Sequence, residues 1–177
     1  MKIHQGICVL VASVLTAGSI AVANRPVQAE SINFTCEKND NGTFTTFGIT
    51  ANGRREFINW TSEAFILAGY TPEKRCQQVT NRMNKYQASG ERYLINGTMN
   101  NLPVICVTDK IGHGCTGLLY TLKPRDDGRK ALHQLFRLND ENFKNDPRQE
   151  GKACRTYVDI NAVINKAQKT AEVKCHS

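Results

Sequence analysis

Hydrophobic and polar positions along this chain follow two rhythms, and each predicts a different kind of element. Residues 31–36 alternate apolar and polar at a period of two, as a half-buried strand does. Asn39-Asp40-Asn41-Gly42 is a hairpin signal, residues 43–50 return as a β-rich strand, and Asn52-Gly53 turns the chain into a third short strand over 56–60. Ser62 is placed to cap a short helical turn through Leu67 that Gly69 ends. The rhythm then lengthens. Cys76, Val79, Met83 and Tyr86 fall on one helical face, while Gln78, Arg82 and Lys85 fall elsewhere. Thr71 supplies an N-cap, Pro72 needs no donor in the first turn, Glu73 suits the positive end of the dipole, and Gly90 stops the run. A helix over 72–88, packed by that face on a sheet, is the strongest expectation in the chain.

Alternation resumes over 92–99, turns at Asn100-Asn101, and returns over 102–107 with Pro103 near the beginning, where a strand tolerates it. A loop with Asp109, Lys110, Gly112, His113 and Gly114 leads to an apolar strand over 115–122. This 93–122 meander is expected at the centre of the sheet. Asp126 or Asp127 can cap a helix that clusters Ala131, Leu132, Leu135 and Phe136. Residues 139–153 are polar and read as an exposed connection, and 155–160 as an edge strand. Asp159 then caps a final helix with an apolar stripe of Ile160, Val163, Ile164, Ala167 and Ala171, and with Lys166, Lys169 and Lys174 toward its negative end. The pattern contains no internal repeat. It reads as one α+β domain over 30–177: an antiparallel sheet of about six strands with two or three helices packed on one face.

The first 29 residues stand apart. Lys2 precedes a nearly unbroken apolar run over 7–23, and Ala21-Val22-Ala23 and Val27-Gln28-Ala29 are both cleavage-like. The expectation is a signal peptide cut after Ala29, with Ala23 as the alternative. Export to a periplasm, thylakoid lumen or extracellular space follows. Loss of Lys2 and Arg25 lowers the formal net charge from +7 to about +5, and about 148 residues remain, enough for a real core. The basic residues are scattered, a pattern that more often marks a solvated surface than a docking face.

Export changes the meaning of the cysteines. Cys8 leaves with the leader, and Cys36, Cys76, Cys106, Cys115, Cys154 and Cys175 remain. An even number with no Cys-x-x-Cys pair reads as three structural disulfides, and six cysteines allow about 15 connectivities that sequence does not decide. The element order favours Cys106–Cys115 across a hairpin, Cys154–Cys175 clamping the C-terminal helix, and Cys36–Cys76 tying the first strand to the first helix. Each is worth about 2–4 kcal/mol. A zinc site would use close cysteine pairs or His113, His133 and His176, and that spacing is absent; no metal or cofactor is expected.

Candidate chemistry is sparse. A Cys115–His113 dyad needs a free thiol, which paired cysteines do not offer. A ribonuclease-type hydrolase would use His113 and His133 as acid and base. No Gly-x-Ser-x-Gly, phosphate loop or dinucleotide fingerprint is present, and Asp126-Asp127 reads as a helix cap. Sequons at Asn33, Asn41, Asn59 and Asn96 are read as incidental in a chain where asparagine is abundant. The remaining constellation is Trp60, Tyr70 and Arg75, an aromatic shelf beside an arginine that could bind a sugar or an anionic head group. The competing reading buries Trp60 in the core with Arg75 packed beside it.

Several motifs occur in an order that resembles a known family. They are Phe34-x-Cys36, Trp60-Thr61-Ser62 with Phe65 after it, Gly69-Tyr70-Thr71-Pro72-Glu73, and Arg75-Cys76-Gln77 with Val79 and Tyr86. Asn101-x-Pro103-Val104-Ile105-Cys106, Gly114-Cys115, Leu118-Leu119 and Thr121-Leu122-Lys123-Pro124 continue the series. Over roughly residues 32–138 the chain is similar to the cyanobacterial circadian oscillating protein family. That resemblance implies an exported, membrane-peripheral bacterial protein whose motifs are scaffold, with no catalytic constellation. The family name concerns rhythmic abundance, not an activity. The expected function is therefore a non-enzymatic exported binding or envelope-associated module. Its partner would be a protein, a polysaccharide or an anionic membrane surface, with no specific nucleic acid, and the chain is expected to be a monomer. The alternatives are the hydrolase using His113 and His133, and an inhibitor of exported hydrolases presenting loop 108–114.

Overall fold

The computed structural model describes residues 31–138, 153–166 and 170–176. The leader and its cleavage site, the connection over 139–152, Ala167 and Lys169 lie outside the described residues. Three strands, β1 (Asn33–Lys38), β2 (Phe44–Thr50) and β3 (Gly53–Asn59), form an antiparallel meander in the order β1-β2-β3. A short 3₁₀ turn (Ile66–Ala68) precedes helix α1 (Pro72–Ala88). Strands β4 (Tyr93–Met99), β5 (Leu102–Thr108) and β6 (Gly117–Thr121) form a second meander. Helix α2 (Gly128–Phe136) follows, then β7 (Ala153–Asp159), the short α3 (Ile160–Ile164) and β8 (Ala171–His176). These five strands make an antiparallel sheet in the order β6-β5-β4-β7-β8.

The α+β class and the disulfide stapling are as the sequence implies, and α1 has the bounds its cap and period dictate. Thr71 caps α1 by accepting from the Lys74 amide at 3.2 Å. Asp127, not Asp126, caps α2 by accepting from the Arg129 and Lys130 amides. Asp126 instead accepts from the Lys123 amide one turn earlier.

Three expectations need correction. The described strands divide into two sheets, because β3 ends at Asn59 and α1 intervenes before β4 begins. Residues 153–159 are not an edge strand: β7 pairs with β4 on one side and β8 on the other. The long final helix is also absent. Asp159 does cap α3, accepting from the Asn161 and Ala162 amides, but that helix ends at Ile164. Residues 171–176 then pair with β7 as β8, so Ala171 and Lys174 lie on a strand. Helical spacing and a helix followed by a strand share Ile160, Val163 and Ile164, so the early part of the pattern does not separate them.

Helix α1 joins the two sheets. Its apolar face buries Cys76, Val79 and Met83 in one cluster with Phe34 and Ile58 from the first sheet and Leu94, Ile105 and Leu119 from the second. Its polar side chains finish the hydrogen bonding of both adjoining sheet edges. Asn84 accepts from the Phe34 amide at 2.7 Å and donates to the Phe34 carbonyl at 2.8 Å, standing in for a neighbouring strand on β1. Arg82 donates to the Leu119 carbonyl at 2.6 Å, and the Tyr86 hydroxyl donates to the Leu118 carbonyl at 3.0 Å on β6. Exposed strand edges invite pairing with other chains, and a covering helix removes that hazard. Gly117 is required for this closure, because a Cβ there would sit 2.5 Å from the Tyr86 ring.

The opposite face of the five-stranded sheet carries a smaller buried cluster of Ile95, Val104, Cys106 and Tyr157. All three favoured disulfides are present. Cys36–Cys76 ties β1 to α1, Cys106–Cys115 closes the β5–β6 loop, and Cys154–Cys175 joins directly paired residues of β7 and β8 at a Cα separation of 4.0 Å. The last therefore clamps two strands, not a helix. Gly97 makes room for the second, since a Cβ there would meet the Cys115 sulfur at 2.5 Å.

Candidate functional site

Between the end of β3 and the start of α1 the chain crosses the open side of α1, and this crossing, together with the first turn of α1, carries the Trp60, Tyr70 and Arg75 constellation. Trp60 is only 5 % exposed. Its amide donates to the Phe44 carbonyl and its indole N–H to the Thr46 hydroxyl at 3.0 Å, and Thr46 is bonded in turn to Thr80. A buried indole needs such a partner for its N–H. Its ring meets Tyr120 edge-on at 5.6 Å. Trp60 is thus a core residue, as the competing reading had it, and it offers no open shelf.

Arg75 and Tyr70 lie outside that core. The Arg75 guanidinium sits 5.5 Å from the Trp60 ring centroid and donates to the Ser62 carbonyl. Its Nε is buried and has no acceptor. Burial holds the guanidinium below its usual range, with Tyr120 opposing the shift, although an arginine stays cationic at neutral pH. The same burial pushes the Tyr120 phenol upward, the Arg75 cation opposing. Tyr70 is 44 % exposed and carries the Lys74 ammonium 5.1 Å from its ring centroid.

Sequence reasoning missed the most exposed part of this face. The 3₁₀ turn buries none of its residues: Ile66 is 40 % exposed and Leu67 fully so. Ser62 does not cap that turn, because its hydroxyl accepts from the Ala64 amide before the turn begins. Gly69 ends it in the left-handed conformation, as expected. Ala64 to Ala68 reads as an amphipathic helical turn only if one side finds a core, and no such signal was available. Next to the turn lies a groove of about 300 Å³ floored by Val79 and walled by Phe65, Tyr70 and Tyr120, with Arg75 and Arg82 both opening into it. A smaller recess of about 190 Å³ on the other side of Arg75 includes Trp60, Thr61 and Lys123.

The two histidines stand in different surroundings. His113 is exposed on the β5–β6 loop, where its Nδ1 lies 2.9 Å from Asp109 Oδ1 and its carbonyl accepts from the Tyr157 hydroxyl at 2.9 Å. The His113 contact holds the Asp109 carboxyl below its usual range. His133 is half-buried on α2, a departure from the exposed position its helix pattern implied. Burial is the main cause of its lowered pKa, Arg129 adds to it, and Asp127 opposes. Cys115 is held in its disulfide, so the dyad has no thiol. Among the described residues no group of three or more His, Cys, Asp or Glu is placed to hold a metal ion. No described helix is long and apolar enough to cross a membrane. Asn96, one of the four sequons, accepts from the Thr156 amide through its side chain and so helps fix β7 beside β4.

A family model described as circadian oscillating protein COP23 matches residues 33–165. The chain belongs to that family. The match runs from β1 through α3 and takes in the whole crossing from Trp60 to Arg82, together with every disulfide cysteine except Cys175. No curated protein and no solved structure matches the chain.

Proposed function

We propose that this protein is an exported, non-enzymatic binding module of the cell envelope, and that it binds through the face around Arg75. The observation that carries this reading is the crossing itself. Ile66, Leu67 and Tyr70 are left bare beside a groove lined by two arginines, and they are three of the four large apolar residues exposed among the described residues, Leu102 being the fourth. Exposed apolar residues grouped at the rim of a concavity mark interaction sites more often than scattered ones do. Export rests on the leader pattern over 1–29 and on three disulfides, which persist in oxidising compartments.

The test is site-specific photo-cross-linking in the protein's own envelope. A reactive group replacing Leu67 is expected to give a discrete adduct, and the same group at Asn52, in the distant β2–β3 turn, is expected to give none. Equal labelling at both positions, or none at Leu67, overturns the binding-face reading. A hydrolase using His113 and His133 would instead show turnover lost in His133→Ala with the fold intact.

One observation favours a second reading, in which loop 108–114 inhibits an exported hydrolase. The Cys106–Cys115 disulfide, the Asp109–His113 pair and the Tyr157 hydrogen bond together hold that loop in one shape. Inhibition of exported hydrolases by the purified protein, lost on changing Lys110, would establish it.

A further inference from the structure

We propose that the groove beside the 3₁₀ turn binds an acidic peptide segment, whose carboxylates enter between Arg75 and Arg82 and whose apolar side chains lie against Phe65, Tyr70 and Val79. This rests on the binding-face reading and names the chemistry of its ligand.

The two arginines are seven positions apart on α1, which returns them to the same helical face about 10.5 Å apart along the axis. Both open into the same groove, and no carboxylate lines it. Each donates to one main-chain carbonyl, of Ser62 and of Leu119 respectively. A guanidinium has five N–H donors in a planar fork, so both keep donors for a ligand. Arg75 Nε is buried without an acceptor, so the donors that a ligand can reach are the outer N–H groups of the guanidinium. The guanidinium has lost part of its water and no carboxylate lines this groove, so an incoming carboxylate supplies a counter-charge there. Paired N–H donors match the two oxygens of a carboxylate.

The shape decides among anionic ligands. At about 300 Å³ the groove admits side chains of a narrow segment, not a folded domain. Its walls are mainly apolar, with Gln78 and Thr121 as the neutral polar groups. A saccharide would bury many hydroxyls there with few partners, which is unfavourable. A flat bilayer surface would engage Leu67 but would not fill the concavity beside it. A peptide that alternates acidic and apolar side chains satisfies both the floor and the arginines. Lys74 at the rim adds attraction for acidic partners.

Trp60, the only tryptophan, lies under the Arg75 guanidinium and reports on it. The experiment titrates the mature protein with a short blocked peptide alternating glutamate with leucine and phenylalanine, and with its glutamine counterpart, while following Trp60 emission. The glutamate peptide is expected to produce a saturable change, and the glutamine peptide to bind roughly tenfold or more weakly. Arg75→Lys keeps the charge but loses the fork, and Arg82→Gln removes one charge. Each is expected to weaken the glutamate peptide by about tenfold while circular dichroism stays unchanged. Equal binding of the two peptides overturns the proposal. So does an emission change with phosphatidylglycerol vesicles but not with peptide, which would assign the face to a lipid surface. If neither peptide binds while the Leu67 adduct still forms, the ligand class fails and the binding face stands. If the adduct is also absent, both fail.

Discussion

Trp60 and Leu67 lie in the same short crossing, and the fold treats them in opposite ways. Trp60 is turned inward, its ring against Tyr120 and its N–H held by Thr46, so both its apolar and polar parts are satisfied. Leu67 is turned outward with nothing over it. The inner side of α1 is closed as completely as the outer side is left open. Cys76, Val79 and Met83 are buried, and Asn84 and Tyr86 complete the edges of two sheets. A chain that spends its polar side chains this way on its sheet edges has not left an apolar turn bare for want of means. The contrast separates residues that hold the fold from residues free to act on something else.

The largest effect is expected at the inner pole. Trp60→Ala should cost about 3–5 kcal/mol, because it removes a buried ring and leaves the Thr46–Thr80 pair facing a cavity. Denaturant unfolding followed by circular dichroism measures it, and a cost below about 1 kcal/mol would mean that the ring packs loosely. Asn84→Ala should come next at about 1–3 kcal/mol, since it strips both of these main-chain bonds from the buried Phe34. The same variant should make β1 easier to pair with another chain, visible as concentration-dependent association in analytical ultracentrifugation.

A smaller effect is expected from His133. Its folded pKa is lowered, chiefly by burial, so the unfolded chain takes up a proton first as pH falls. Stability should therefore decline as pH drops through the unfolded value of about 6.5 and on through the lower folded one. His133→Gln should flatten that part of the melting-temperature profile relative to the parent protein. A profile unchanged by the substitution would show that His133 titrates alike in both states. The smallest stability effect belongs to Leu67→Ser, expected within about 0.5 kcal/mol of the parent.

The sequence made the inner half of this contrast readable and left the outer half dark. Thr71, Pro72 and the Cys76–Val79–Met83 spacing set α1 because capping and amphipathic period are local signals. Element order favoured the three disulfide pairings once export was inferred, although sequence alone did not decide among the connectivities. Cys154 and Cys175 were paired correctly for the wrong reason, since both lie on strands. What brings β7 beside β4 is a contact between distant parts of the chain, and Asn96 reaching the Thr156 amide carries no local signature. For the same reason the division into two sheets was not legible. Trp60, Tyr70 and Arg75 stand out in the sequence by residue type, but type does not tell that Trp60 turns into the core while Tyr70 and Arg75 stay outside it. Leu67 and Arg82 were missed because exposure of a leucine, and the direction of an arginine, are set by packing and not by composition.

The most direct test is a denaturation titration of the parent protein and Leu67→Ser in parallel, both followed by Trp60 emission. Coincident transitions, with the same midpoint and slope, are the predicted result, because Leu67 contributes nothing to the core that Trp60 reports. A Leu67→Ser transition shifted to lower denaturant by more than about 1 kcal/mol would contradict the account, since the turn would then be part of the fold and not a face presented to a partner.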